Sequence, residues 1–306
     1  MKEQQENQHQ FPLPGFEESL QDGLFHEFLP YSDLNQWIQE ENRVYKAALL
    51  YTPLLRLESI SALSFLSLIG PPAEKHYFKT FSHHRLDHSL VVAMTTERIL
   101  RQNGFPKVQI DIGILAGLLH DVATPALGDA TKQVDPQNLD EEKHWMETMD
   151  QNGRRLLESY GVNEAQMHTI IKNEGVLGKV LDIADRITYT MKDIHEIIGL
   201  PIGNNSVNFY EDIGEFVEVL SDFPKIGNIY QDVGVDQKKE DVFFNNPDRL
   251  RAFLLLRALL HQKLYMHPVS LGRDLLVKRL IEPMYKPHEK SGKPLSPHIL
   301  RQMTDH

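Results

Sequence analysis

From about Ser32 onward the apolar residues of this chain recur at helical spacing, and alternating strand patterns are scarce. A chain patterned in that way must bury helix faces against other helices, so the expected fold class is all-α. Ser32 can cap a helix carrying Leu34, Trp37, Ile38 and Tyr45. After Asp87 a strong helix begins and stops at Gly104, a residue suited to a left-handed C-terminal cap. Residues 108–120 (VQIDIGILAGLLH) predict a largely buried helix, and residues 141–160 a charged amphipathic one ending before Gly161. Asn163 and Gln166 make a capping box for the next helix, and 176–198 form a long one halted by Gly199 and Pro201. Residues 202–247 mix Gly, Asn, Pro and acidic residues and predict an irregular excursion with one helix near 211–220. Two helices follow, about 248–266 and 270–283, and then a tail containing Pro and Lys. No internal repeat is present.

At 306 residues the chain can bury a sizeable core, and 41% hydrophobic with 25% charged residues is an ordinary globular composition. The longest apolar run, Leu250 to Leu260, is broken by Arg251 and Arg257, far short of the roughly 20 residues of a membrane span. The N-terminal MKEQQENQHQ is polar with no apolar signal region, which argues against secretion and for a cytoplasmic protein. There are no cysteines, so a metal would be held by His, Asp and Glu. A formal net charge of −11 argues against broad nucleic-acid or anionic-membrane binding. It leaves room for a small anionic substrate, because a metal and a few Arg or Lys can reverse the sign locally.

Four residues combine in a way that suggests such a metal. His88 opens a helix, His120 and Asp121 close another after the apolar GILAGLL, and Asp185 lies within the apolar KVLDIADRITYTM. Charged groups in apolar helices carry a desolvation cost. One divalent cation shared by two imidazoles and two carboxylates would offset all four costs together. Taken singly, His88 reads equally as a polar helix start and Asp185 with Arg186 as surface charge. Their joint occurrence in order favours the metal.

The order His, His-Asp, Asp resembles that of the HD-domain phosphohydrolases. Three further segments resemble one branch, the deoxynucleoside triphosphate triphosphohydrolases, which include the sterile-alpha-motif/HD enzyme and bacterial dGTPases. Ser82-His83-His84-Arg85-Leu86-Asp87-His88-Ser89-Leu90 is similar to that branch's S-H-N-R-F-E-H-S-L. Asp185-Arg186-Ile187-Thr188-Tyr189, with Asp193 and Gly199 downstream, resembles its D-(K/R)-x-x-Y-x-x-x-D. The helix Arg257 to His267, with His261 and Tyr265, resembles its R-x-x-x-H-x-x-x-Y-x-H, and a looser echo lies at Thr52-Pro53 to Arg56-Leu57. The resemblance covers about residues 50–285. The polar, aperiodic residues 1 to about 30 predict a mobile tail or loosely docked arm. The resemblance implies an HD domain over 31–285, with a C-terminal tail over 286–306. Within that domain the metal core would span about 80–200 and nucleotide-contacting helices about 248–283. It also implies one divalent ion (Mn, Fe, Mg, Co, Ni or Zn), a small nucleotide or phosphate ester as partner, and homo-oligomeric assembly. Arg85, Arg186 and Arg257 would contact phosphates, with Tyr189 and Asp193 near the sugar. Water attack at the α-phosphorus would then yield nucleoside and tripolyphosphate.

Spacing agrees with these roles. Asp185, Tyr189 and Asp193 stand at i, i+4 and i+8 on one helix face, as do Arg257, His261 and Tyr265 on another. Carboxylate, phenol and carboxylate suit a metal ligand followed by sugar contacts; guanidinium, imidazole and phenol suit phosphates and a ring. Arginine pairs its fork with phosphate oxygens and keeps its proton.

The chain departs from the family after His120-Asp121, where Thr124 and Asp129 stand in place of two expected histidines. His144 is a candidate for the histidine that follows, with Lys143 beside it as a further substrate contact. Three alternatives follow. Asp129 and His144 form a modified acid/base pair; or the substrate has shifted to nucleoside monophosphates, the stringent-response alarmone or another phosphate ester; or catalysis is lost and a nucleotide-binding regulator remains. No GYP segment is present, which argues against the two-metal HD-GYP phosphodiesterases.

Overall fold

Helix boundaries fall where side chains can satisfy the free backbone groups of a helix end. The computed structural model describes residues 34, 37–38, 43–61, 84–198, 228–266, 268–286 and 293–305. Two short helices, α1 (Arg43–Ala48) and α2 (Thr52–Arg56), precede the central helix α3 (Arg85–Gln102). Gly104, at φ +71°, ends α3 as the sequence implies. Helix α4 (Lys107–Leu119) follows Pro106, and the short α5 (Gly128–Lys132) follows Leu127, itself at φ +64°. Asp140 caps α6 (Glu141–His144) and Asp150 caps α7 (Gln151–Ser159). The Asn163–Gln166 capping box opens α8 (Glu164–Ile171), and α9 (Gly175–Ile198) is the long helix. A hairpin of β1 (Val233–Asp236) and β2 (Asp241–Phe244) leads into α10 (Pro247–Leu260), with Asn246 as cap and Pro247 in the first turn. Then come a π-helical turn (His261–Tyr265), α11 (Pro268–Ile281) and α12 (Pro297–Leu300).

The described residues are mainly helical, as expected, and that hairpin is their one sheet. Helix α3 is buried on nearly every side, with Val91, Val92, Met94, Ile99 and Leu100 all in the core. Helix α4 lies against it at unusually short range. A Cβ on Gly117 would stand 2.5 Å from Ala93 Cα, so these two small residues let the backbones meet. Helix α9 packs on the other side through Val180, Leu181, Ala184 and Ile187. A second apolar cluster, Ala130, Leu139, Val277, Ile281, Tyr285 and Leu300, joins α5, α11 and α12 beside the first.

Four regions depart from the sequence expectation. The helix expected over 141–160 is broken by a 3₁₀ turn at Trp145–Thr148, because Trp145 turns fully into the core and donates from Nε1 to Leu119 O at 2.7 Å. The excursion 202–247 contains the antiparallel hairpin, with Val233 opposite Phe244 and Asp236 opposite Asp241. Asn103, just past α3, holds β1 by bonding Val233 O and Val235 N, both at 2.9 Å. The helix expected near 211–220 and the segment 1–33 lie outside the described residues. The helix expected over 248–266 changes to π geometry at His261. Residues 293–305, within the expected C-terminal tail, carry α12 and pack against the body of the protein, where Leu300 and Arg301 are buried. No helix among the described residues is long and apolar enough to cross a membrane.

Candidate metal centre

The close contact of α3 and α4 brings His88, in the first turns of α3, to His120, which caps the C-terminus of α4. Ligand atoms of His88, His120 and Asp121 all lie within 4.8 Å of one another. Asp185 joins them from α9: its Oδ1 is 2.8 Å from His88 Nε2 and 3.7 Å from His120 Nε2. Asp121 Oδ2 is 3.6 Å from His120 Nε2 and 3.9 Å from His88 Nε2. His120 Nδ1 is 2.8 Å from Gly117 O. A carbonyl can only accept, so Nδ1 carries the proton and Nε2 presents its lone pair. That Nε2 is buried without a hydrogen-bond partner. An oriented imidazole lone pair facing two carboxylates is the donor set that a divalent cation completes, and the residues fit one.

Arg85, one turn before His88, ties this cluster to its surroundings. Its Nη1 donates to Asp121 Oδ2 at 2.8 Å and its Nη2 to Asp129 Oδ2 at 3.3 Å. Burial works to raise the Asp121 carboxyl, but the Arg85 guanidinium bonded to it outweighs burial and holds it well below the usual carboxylate range. The Asp129 carboxyl is largely exposed to solvent, and Lys132 with Arg85 hold it down at about 2. Lys132 Nζ is 2.6 Å from Asp129 Oδ1 and also donates to Glu141. Charges therefore alternate along Asp121, Arg85, Asp129, Lys132 and Glu141.

These residues line one side of a cavity of about 450 Å³. Its lining also includes Tyr189 and Asp193 from α9, His261 and Tyr265 from the π turn, and Ser270 and Asp274 from α11. Tyr265 donates its hydroxyl to Asp193, and burial, reinforced by that carboxylate, pushes its phenol up. Burial and the Arg257 charge push His261 down. Eight carboxylates line the cavity (Asp121, Asp129, Glu141, Glu142, Asp182, Asp185, Asp193, Asp274), against Arg85 and Lys132 as its Arg and Lys. Burial and the adjoining carboxylates push Glu142 up, and burial with Asp129 does the same to Asp274.

Of the residues singled out from sequence, His88, His120, Asp121, Asp185, Arg85, Asp129, Tyr189, Asp193, His261 and Tyr265 converge on this cavity. The other four stand elsewhere. Arg186 points away and pairs with Asp182 at 2.8 Å. Lys143 pairs with Asp140 at 3.2 Å. His144 faces Glu147 and the Gln137 carbonyl at 2.6 and 2.9 Å, so its two ring nitrogens are engaged outside the cavity. Arg257 lies over the Tyr189 ring at 4.7 Å and lines a neighbouring groove that shares His261 and Met266 with the cavity. The π turn begins at His261, one turn after Arg257, whose charge still acts on His261 and Tyr265. Thr124 is fully buried, its hydroxyl 3.5 Å from Asp121 Oδ1. His83, Gly199 and His267 lie outside the described residues.

Several residues of the site went unremarked in the sequence. Lys132 stands three residues after Asp129, a spacing that places them side by side on a helix. Arg56 donates from Nη2 to Val122 O at 3.1 Å and Thr124 O at 2.6 Å, so the Thr52–Arg56 echo proves to be the support of the loop after His120-Asp121. Asp274 has no local signal, because only the packing of α11 brings it to the cavity.

Comparison with known proteins agrees with this geometry. The HD domain family matches residues 85–190, which contain all four converging metal-binding candidates. Among solved structures, a hypothetical protein from Aquifex aeolicus is similar at 19% identity with a TM-score of 0.57, covering 83% of this chain and 63% of that one. A phosphohydrolase from Bacteroides thetaiotaomicron VPI-5482 is similar at 17% identity with a TM-score of 0.54, covering 76% of this chain and 53% of that one. Both likenesses are of fold, and the chain spans less than two thirds of either structure's length. No curated protein matches the chain. Residues 85–190 are thus similar to the HD domain family and lie within a longer, mainly helical chain.

Proposed function

We propose that the protein is a metal-dependent phosphohydrolase acting on a nucleotide. The observation that carries the proposal is the meeting of His88, His120, Asp121 and Asp185 at one cavity wall, with the His120 Nε2 lone pair buried and unbonded. When bound there, a divalent cation supplies charge stabilisation to phosphoryl oxygens and makes water more acidic. Arg85 directs its guanidinium along the same wall, where it can oppose charge developing on the phosphoryl group. Asp193, fixed by Tyr265, is an acceptor for a sugar hydroxyl, and Tyr189 and His261 offer ring faces. Asp129, ionised at neutral pH, can accept a proton but not donate one.

A (deoxy)nucleoside triphosphate cleaved to nucleoside and tripolyphosphate is the substrate supported by the Tyr189, Asp193, His261 and Tyr265 wall. A second reading, a nucleoside monophosphate or other single-phosphate ester, is favoured by charge: carboxylates dominate the cavity, and Arg186 and Arg257 lie outside it.

A panel of dNTPs, NTPs and nucleoside monophosphates with Mn²⁺ or Mg²⁺, products separated by chromatography, tests both. Turnover should fall at least 10²-fold in His120→Ala and Asp121→Ala, together with loss of bound metal by elemental analysis. Tripolyphosphate among the products supports the first reading, and orthophosphate from monophosphates alone supports the second. A metal-replete protein that turns over none of them sinks the enzyme proposal.

A further inference from the structure

Both cations of the cavity are gripped by the same carboxylate. Asp129 places one oxygen on Arg85 Nη2 at 3.3 Å and the other on Lys132 Nζ at 2.6 Å. The two cations are nearly enclosed, their side chains 10% and 22% exposed, whereas the Asp129 side chain is 62% exposed. A buried guanidinium and a largely enclosed ammonium, bridged by an exposed carboxylate, make a ready oxyanion seat. Each cation keeps a second partner, Asp121 for Arg85 and Glu141 for Lys132, so the seat does not collapse when Asp129 leaves.

We propose that Arg85 and Lys132 form a seat for a phosphate group beside the metal centre, and that Asp129 fills this seat until a phosphate displaces it. The identification of the ligand as phosphate rests on the phosphohydrolase reading; the two-cation geometry does not. Lys132 is then a phosphate-binding residue, and Asp129 is a competitor that lowers affinity for phosphate and sets how readily a second phosphate of a substrate can enter. Phosphate is the better occupant because its three or four oxygens can meet both cations and still face the cavity, where a carboxylate has two.

Titration calorimetry of the metal-loaded protein with inorganic orthophosphate tests the seat directly, with thermal melts confirming that each variant is folded. Asp129→Asn should bind orthophosphate about tenfold more tightly than the natural protein, as expected when a competing charge is removed. Lys132→Met should bind it at least fivefold more weakly, and in the double variant it should cancel the gain. If Asp129→Asn does not fold, Lys132→Met alone decides. Unchanged affinity in Lys132→Met, or unchanged or weaker affinity in a folded Asp129→Asn, overturns the proposal and leaves Asp129 as a structural ion-pair partner. The outcomes separate from those of the proposed activity. Turnover with no change in phosphate binding removes the seat and keeps the enzyme, whereas tighter binding without turnover keeps the seat and removes the enzyme.

Discussion

At the scale of single residues, Asp129 links the candidate site to the stability of the fold. Its carboxyl ordinarily titrates near 3.8 and is held at about 2 by Lys132 and Arg85. A carboxyl whose folded value is depressed stabilises the protein above its unfolded value and loses that contribution as pH falls through the folded one. The contribution is therefore complete above about pH 4 and gone near pH 2. Melting temperatures of the natural protein and Asp129→Asn should differ most at neutral pH and converge as the pH falls through that window. Curves that stay parallel down to pH 2 would show that the ion pairs add nothing to folding. Lys132 and Arg85 are the partners that make a largely exposed carboxylate matter.

At the scale of elements, the approach of α3 and α4 places the two histidines. Gly117 and Ala93 allow it, and a methyl group at Gly117 would meet Ala93 Cα at 2.5 Å. Gly117→Ala should cost about 1–3 kcal/mol by overpacking, seen as a lower urea midpoint. It should also weaken metal binding, because Gly117 O orients the His120 ring. Normal stability with normal metal content would mean that the helices separate freely. The capping signals at Gly104, Asn163–Gln166 and Gly161 act within a few residues, so they were legible in the sequence. The break at Trp145 was not, because its cause is a bond to Leu119 on a distant helix.

At the scale of the whole molecule, the C-terminal segment acts as a strap across the loop that follows His120-Asp121. Leu300 O accepts from Ala126 N at 2.8 Å, Asp305 accepts from Leu127 N at 2.7 Å and Ser61 N at 2.8 Å, and Arg56 donates to Met303 O at 2.8 Å. Asp305→Ala should lower stability by about 1–3 kcal/mol, the range for two such hydrogen bonds. Removal of residues 293–306 should cost several kcal/mol more, through the lost burial of Leu300, and reduce any phosphohydrolase activity with it. Thermal melts and turnover of the two variants check this, and a truncated protein as stable as the full chain would show that the strap is passive.

The helical class, most helix ends and the four residues that meet at the candidate metal centre could be read from this chain alone, because each rests on periodicity, on capping chemistry or on residue types whose burial demands a partner. The sequence also exposed the departure at Thr124 and Asp129. Tertiary structure decided what those residues face: Thr124 is buried behind Asp121, Asp129 bridges Arg85 and Lys132, and His144 is drawn to Glu147 outside the cavity. It also laid Arg257 over the Tyr189 ring in a groove beside the cavity, and brought Asp274 to the cavity. Local rules reach about one helical turn along the chain, which spans Asp121–Thr124, Asp129–Lys132 and His144–Glu147. Arg85 meets Asp129 across 44 positions and Asp305 meets Leu127 across 178, where only the packing of whole helices determines which groups meet.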